Sequence, residues 1–157
     1  MIKRKQAGFT LIELLVVIGI LAVLLAIVLI AINPARQFAQ ANNAKRSSDV
    51  NALLNAIHQY GADNKGNLSA LVITTTPSPI NIGSFAALCT ALVPRYIAAL
   101  PVDPLTANGV PVSDCAAVGW NTNYNVSITV PAVGDTGRIT VSAPATELGI
   151  APITVLR

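Results

Sequence analysis

Hydrophobic positions run almost unbroken from Phe9 to Ile32, thin to a periodic stripe, and finally alternate with polar ones. The first stretch holds a single charged residue, Glu13. As a helix at ~1.5 Å per residue it measures about 36 Å, enough to cross a hydrocarbon layer of ~30 Å. Asn33-Pro34 interrupts it, because proline removes an N–H donor and clashes with the preceding turn. Good helix formers resume from Ala35 to Tyr60. There Val50, Leu53, Leu54, Ala56, Ile57 and Tyr60 fall at the three- and four-residue spacings of one apolar face. Arg36, Gln40, Asn43, Lys45 and Arg46 precede them on a largely polar surface. The pattern predicts one long helix over residues 9–60, about 78 Å at ~1.5 Å per residue, with a kink or loosened turn at Pro34. Gly61 and the Asp63-Asn64-Lys65-Gly66-Asn67 cluster end it with turn chemistry.

Beyond residue 60 the signals shorten. Leu71-Val72-Ile73-Thr74 reads as a short strand broken by Pro77-Ser78-Pro79, residues 85–92 as a short helix, and residues 97–100 as a second turn or helical end. Tyr124, Val126, Ile128 and Val130 alternate with polar partners, as does Arg138-Ile139-Thr140-Val141-Ser142, with Asp135-Thr136-Gly137 as the turn between them. Residues 153–156 supply a third strand or an edge segment. So few strands need a partner surface, and the apolar stripe of the helix offers one. The fold class is α+β: a long N-terminal helix, apolar in its first half and amphipathic in its second, packed on a small antiparallel sheet.

A basic head, Lys3-Arg4-Lys5, precedes Gly8-Phe9-Thr10-Leu11-Ile12-Glu13. Glycine, aromatic, Thr-Leu and glutamate in this register before a long apolar run resemble the N-terminus of type IV pilins and of the pseudopilins of type II secretion. That resemblance implies a pilin-like fold and a leader cut by prepilin peptidase between Gly8 and Phe9. It further implies N-methylation of Phe9 and a glutamate at the fifth mature position, Glu13. The chain then divides into a leader (1–8), a membrane and assembly half-helix (9–32), an amphipathic half-helix (33–60) and a head (61–157). Tyr96, with Leu100-Pro101-Val102-Asp103-Pro104, also resembles a segment common in major pseudopilins. Elementary electrostatics points the same way. The basic head holds the N-terminus in the cytoplasm, so the remainder crosses the inner membrane. A secretory signal would instead have an apolar region of ~7–15 residues and a small-residue cut on the far side. A carboxylate inside lipid costs on the order of 1–3 kcal/mol and calls for a partner. The amine created on Phe9 of a neighbouring subunit supplies one, in an assembly salt bridge with Glu13.

Composition changes meaning once the leader is set aside. The net charge of +3 and pI of about 9.1 come from Lys3, Arg4 and Lys5; the remaining basic residues equal the seven acidic ones. No nucleic-acid partner is therefore expected. The local excess of Arg36, Lys45 and Arg46 over Asp49 is read as a solvated helix face, with a neighbour's acidic surface or anionic headgroups as the alternative. The ~125 residues after the apolar run suffice for one compact domain. Cys89 and Cys115 both lie beyond the membrane segment, where export permits a bridge worth ~3 kcal/mol in the chain-entropy model; two buried thiols are the alternative. The resemblance adds a disulfide that bounds a loop in many pilins. It also places a calcium loop near Asp103, Asp114 and Asp135, although turn aspartates look the same in sequence. No other cofactor and no metal cluster is expected, since His58 is the sole imidazole.

Nor is an enzyme expected: there is no phosphate-binding glycine loop, and Phe85, Trp120 and His58 read as core or boundary residues. The favoured reading is a prepilin polymerised through its N-terminal helix into an extracellular type IV pilus-like homo-oligomeric filament, handled by the pilus assembly machinery and held in the inner membrane beforehand. The alternatives are a pseudopilin of a type II secretion system, favoured by residues 100–104, and an unprocessed membrane-anchored exported domain.

Overall fold

The computed structural model describes residues 8–129 and 137–157, and the chain divides into two compact units, Met1–Phe38 and Ala39–Arg157. Helix α1 (Leu11–Ile32) belongs to the first unit, and no residue of it is buried. Among the described residues it is the one helix long and apolar enough to cross a membrane. It stops at Asn33, whose φ of 47° and ψ of 79° lie in the left-handed region that asparagine tolerates better than most side chains. The Asn33 Oδ1 then accepts the Arg36 N–H at 3.3 Å, so one residue closes α1 and caps α2 (Pro34–Asp63). Proline at the first position of α2 forfeits no intrahelical bond. The kink or loosened turn expected near Pro34 is centred on Asn33, which separates α1 from α2, and Pro34 begins regular structure.

In the second unit, α2 buries Val50, Leu53, Leu54, Ala56 and Ile57. Facing them is a four-stranded antiparallel sheet of β1 (Ser78–Asn81), β2 (Asn121–Ile128), β3 (Ile139–Ala143) and β4 (Ile153–Leu156), in that spatial order. Helix α3 (Ile82–Leu92) adds Phe85, Leu88 and Leu92 to the same core, where Tyr124, Val126, Ile139 and Val141 arrive from the strands. Asn81 caps α3, its Oδ1 accepting the Ser84 N–H at 2.9 Å. Burial of each such aliphatic side chain is worth ~1.5–3 kcal/mol, which is what holds so small a sheet against one helix. Alternation is cleanest in β3, where Ile139, Val141 and Ala143 point inward and Thr140 and Ser142 are half-buried.

Three expectations for residues 61–100 give way. Residues 71–74 form no strand: Ser69–Leu71 is a short 3-10 turn, followed by Val72 at φ 53°. Thr74 reaches the sheet from outside it, its carbonyl accepting the Ile128 N–H at 2.9 Å and its hydroxyl lying 3.2 Å from Ser78 Oγ. The strand lies instead at Ser78–Asn81, across the prolines expected to break it. Pro79 survives there because β1 is an edge strand with a single neighbour, and its register with β2 shifts between Pro79 and Asn81. Residues 97–100 are not helical either; Leu100 and Val112 exchange two backbone hydrogen bonds, at 2.8 and 2.9 Å, in an isolated bridge. Met1–Ala7, carrying the basic head, and Val130 and Asp135, assigned to the tail strand and its turn, lie outside the described residues.

Candidate functional site

At the start of α1, Thr10 and Glu13 form a capping box. The Glu13 N–H donates to Thr10 Oγ1 at 3.3 Å, while Glu13 Oε2 accepts the Thr10 N–H at 2.9 Å and its hydroxyl at 2.7 Å. The carboxylate is thus held by its own helix terminus, where negative charge is favourable. Both donors converge on Oε2; among the described residues nothing donates to Oε1. Phe9, Ile12, Glu13, Val16 and Val17 line one shallow depression, and Phe9 is 83% exposed. Gly8 is exposed as well. Phe9 and Glu13 therefore share one patch, a carboxylate oxygen among uncovered hydrocarbon. In lipid or in a bundle of like helices such a group would attract an ammonium.

The head contains an ionic centre that sequence reading missed. Arg46 is 0% exposed, so it does not belong to the solvated helix face expected of it. Its Nε donates to Asp103 Oδ2 at 2.6 Å and its Nη2 to Asp103 Oδ1 at 3.2 Å. Its Nη1 donates to Glu147 Oε2 at 2.8 Å and to Asn43 Oδ1 at 2.9 Å. Asn43 is also tied to the Glu147 backbone, donating to its carbonyl at 3.0 Å and accepting its N–H at 3.1 Å. The fork of the guanidinium thereby joins α2 to the Leu100–Pro104 segment and to the connection before β4. Hydrogen bonding to Arg46 holds the Glu147 carboxyl below the usual glutamate range. A signal for this burial did exist: Ala39, Asn43, Arg46, Val50, Leu53 and Ile57 form one stripe at spacings of three and four.

Beside it, Asp49 accepts from Lys45 Nζ at 3.4 Å and from the Tyr124 hydroxyl at 2.8 Å. Burial, with the Asp49 carboxylate beside it, pushes the Tyr124 phenol well above its ordinary value.

These contacts bear on calcium, which needs several free oxygens. Both Asp103 oxygens face Arg46, and Oδ1 also accepts the Leu105 N–H at 2.9 Å, so Asp103 does not fit a calcium loop. Asp114 uses Oδ1 on the Ala116 N–H at 2.9 Å, and Asp135 lies outside the described residues. Among the described residues no three potential ligands cluster. Cys89 and Cys115 are joined in a disulfide with Cα atoms 5.6 Å apart, linking α3 to the loop before β2. Phe85 and Trp120 belong to the core, and His58 is exposed on α2.

An uncovered apolar helix carrying one capped glutamate, followed by a small α+β head, defines the pilin-like class of protein. Residues 3–29 match the prokaryotic N-terminal methylation motif. The type II secretion system core protein G of Aeromonas hydrophila is 39% identical over 83 residues, covering 49% of this chain and 57% of that protein. The proteins of the same name from Pseudomonas aeruginosa and Vibrio cholerae are each 35% identical, over 110 and 108 residues; the chain covers 70% and 66% of them. The chain thus spans little more than half of the first of these relatives and about two thirds of the others. No solved structure matches it. The chain belongs to the type IV pilin and type II secretion pseudopilin family.

Proposed function

We propose that this protein is a pseudopilin, a structural subunit that polymerises through α1 into the short filament of a type II secretion system. One observation carries the choice over a surface pilus. The match to core protein G runs over 110 residues, too many for the N-terminal helices alone, so it extends into the head, beyond the signal shared by all pilin-like chains. The pilus reading rests on that shared N-terminal signal, and the matches indicate no enzyme family.

In this reading prepilin peptidase cuts between Gly8 and Phe9, and the new amine of Phe9 is methylated. Before assembly the subunit waits in the inner membrane on α1, with Glu13 held by Thr10. On assembly Glu13 Oε1 receives the Phe9 amine of a neighbour, which fixes axial register while lateral packing of α1 supplies most of the cohesion. The pairing relieves two charges that are costly alone in low dielectric.

Two measurements test this. Mature protein from the native host should begin at Phe9 and carry one extra methyl group by intact mass; a chain still beginning at Met1 would leave a plain anchor. Deleting the gene should trap exported proteins behind the outer membrane while surface pili and motility persist. Loss of motility with normal secretion would return the pilus reading.

A further inference from the structure

Among the described residues, some charges of the head have no ion-pair partner. Among the described residues Lys45 pairs with Asp49, Arg46 with Asp103 and Glu147, and Arg95 with Asp63. Asp114 has no ion-pair partner among the described residues, and Arg138 and Arg157 have none there either. The latter two share a groove of about 540 Å³ with His58, floored by Ile57, Leu68 and Ile139. Asn55 steadies the Arg157 guanidinium, its Oδ1 accepting from Nη1 at 3.4 Å.

Asp114 sits at the start of a projecting loop on other elements of the head. Val118, four residues on, is 92% exposed. The loop is braced at its middle. Cys115 is bonded to Cys89, its carbonyl accepts the Trp120 indole N–H at 3.2 Å, and the Ala116 N–H donates to Asp114 Oδ1 at 2.9 Å. The head thus presents a rigid acidic and apolar knob together with a basic, apolar-floored groove.

We propose that the Asp114–Val118 knob of one subunit enters the Arg138–Arg157 groove of a second copy in the filament. The carboxylate would meet the guanidinium groups in charge-assisted hydrogen bonds, and Val118 would cover apolar floor that water otherwise wets. Knob and groove share no residue, so the contact is heterologous, the kind that propagates without closing and builds a helical array. Exposed ion pairs contribute little strength, so this contact specifies which head meets which and at what stagger, while α1 provides cohesion.

The inference rests on the filament reading above, and the test separates the two. Full-length chains are overproduced in the native host, and sheared filaments are measured. Asp114→Arg and Arg138→Glu should each lower filament yield ~10-fold, because every repeat then juxtaposes like charges. The double reversal should restore at least half of the wild-type yield. A double variant as poor as the singles, or singles with normal yield, would overturn the contact while leaving the filament reading intact. A wild-type chain that forms no filament would remove both.

Membrane-fraction abundance and the oxidised Cys89–Cys115 mobility on non-reducing gels check that the variants fold. If one does not accumulate, p-benzoylphenylalanine introduced at Val118 replaces the swap. Photolysis of filaments should join it to peptides containing Arg138 or Arg157 of a second copy. Cross-links elsewhere, or none between copies, would end the proposal.

Discussion

Replacing Arg46 with leucine gives the sharpest reading of how the head is held together. Leucine fills part of the space but leaves Asp103, also 0% exposed, without its bidentate cation. Removing one partner of a buried ion pair costs ~3–5 kcal/mol, mostly because the remaining charge stays desolvated. Glu147, whose side chain is 27% exposed, can turn to water and adds little to that loss. Whole domains are stable by only ~5–15 kcal/mol, so the variant should sit close to its limit. Urea denaturation of the chain lacking its first 33 residues measures the change, with the lone Trp120, 9% exposed, as the fluorescent reporter. With a slope of ~1.5–2 kcal/mol per molar urea, the midpoint should fall by roughly 2 M. Adding Asp103→Leu should recover more than half of the loss, because the second change removes the orphaned charge. A loss below ~1 kcal/mol, or a double variant no more stable than the single, would show that water reaches Asp103 and would refute the buried-pair argument.

Other expectations follow from the same contacts. Reducing the Cys89–Cys115 bond, or replacing both cysteines by serine, should destabilise the head by ~3 kcal/mol, read as a lower urea midpoint; no change would mean the open loop is already ordered without it. Tyr124 has a phenol raised in the folded state from an ordinary value of 10.0, so its contribution is complete below that pH and declines as pH climbs above it. Thermal melts should therefore lose stability above about pH 10 less steeply in Tyr124→Phe; equal alkaline slopes would contradict the buried hydroxyl. Glu13→Ala should be cleaved and inserted like the wild type yet yield few filaments by shearing. Normal yield would dispose of the Glu13–Phe9 pairing.

What sequence made legible was the part governed by periodicity and by local signature. The apolar run of α1 states the length and hydrophobicity of that helix, while the stripe Val50–Ile57 and the alternation of β3 state their burial through spacing alone. What stayed hidden depended on residues far apart in the chain. The stripe of α2 places Arg46 on the buried face, but its partners Asp103 and Glu147, separated from it by 57 and 101 positions, are not legible from that spacing. Strand β1 was obscured because proline signals a break, and only its place at the sheet edge makes Pro79 harmless. At Asn33-Pro34 the interruption was legible but not its author: proline carries the strong local rule, whereas the left-handed asparagine does the turning. For Glu13, register marked the residue, and Thr10 three positions before it carries the capping-box spacing whose two hydrogen bonds the structure shows.

The long reach of Arg46 also bears on the order in which the molecule can mature. Glu147 lies near the end of the sequence, between strands β3 and β4, and Asn43 grips its backbone from both sides. A nascent chain that has presented Asp103 but not yet residue 147 already offers Arg46 its bidentate partner, while the Asn43 amide still lacks the Glu147 backbone. At that stage β1, β2 and β3 are present and only β4 is missing from the sheet. The contacts of Glu147 with Asn43 and Arg46 are therefore the last part of this ionic centre to become available as the chain lengthens.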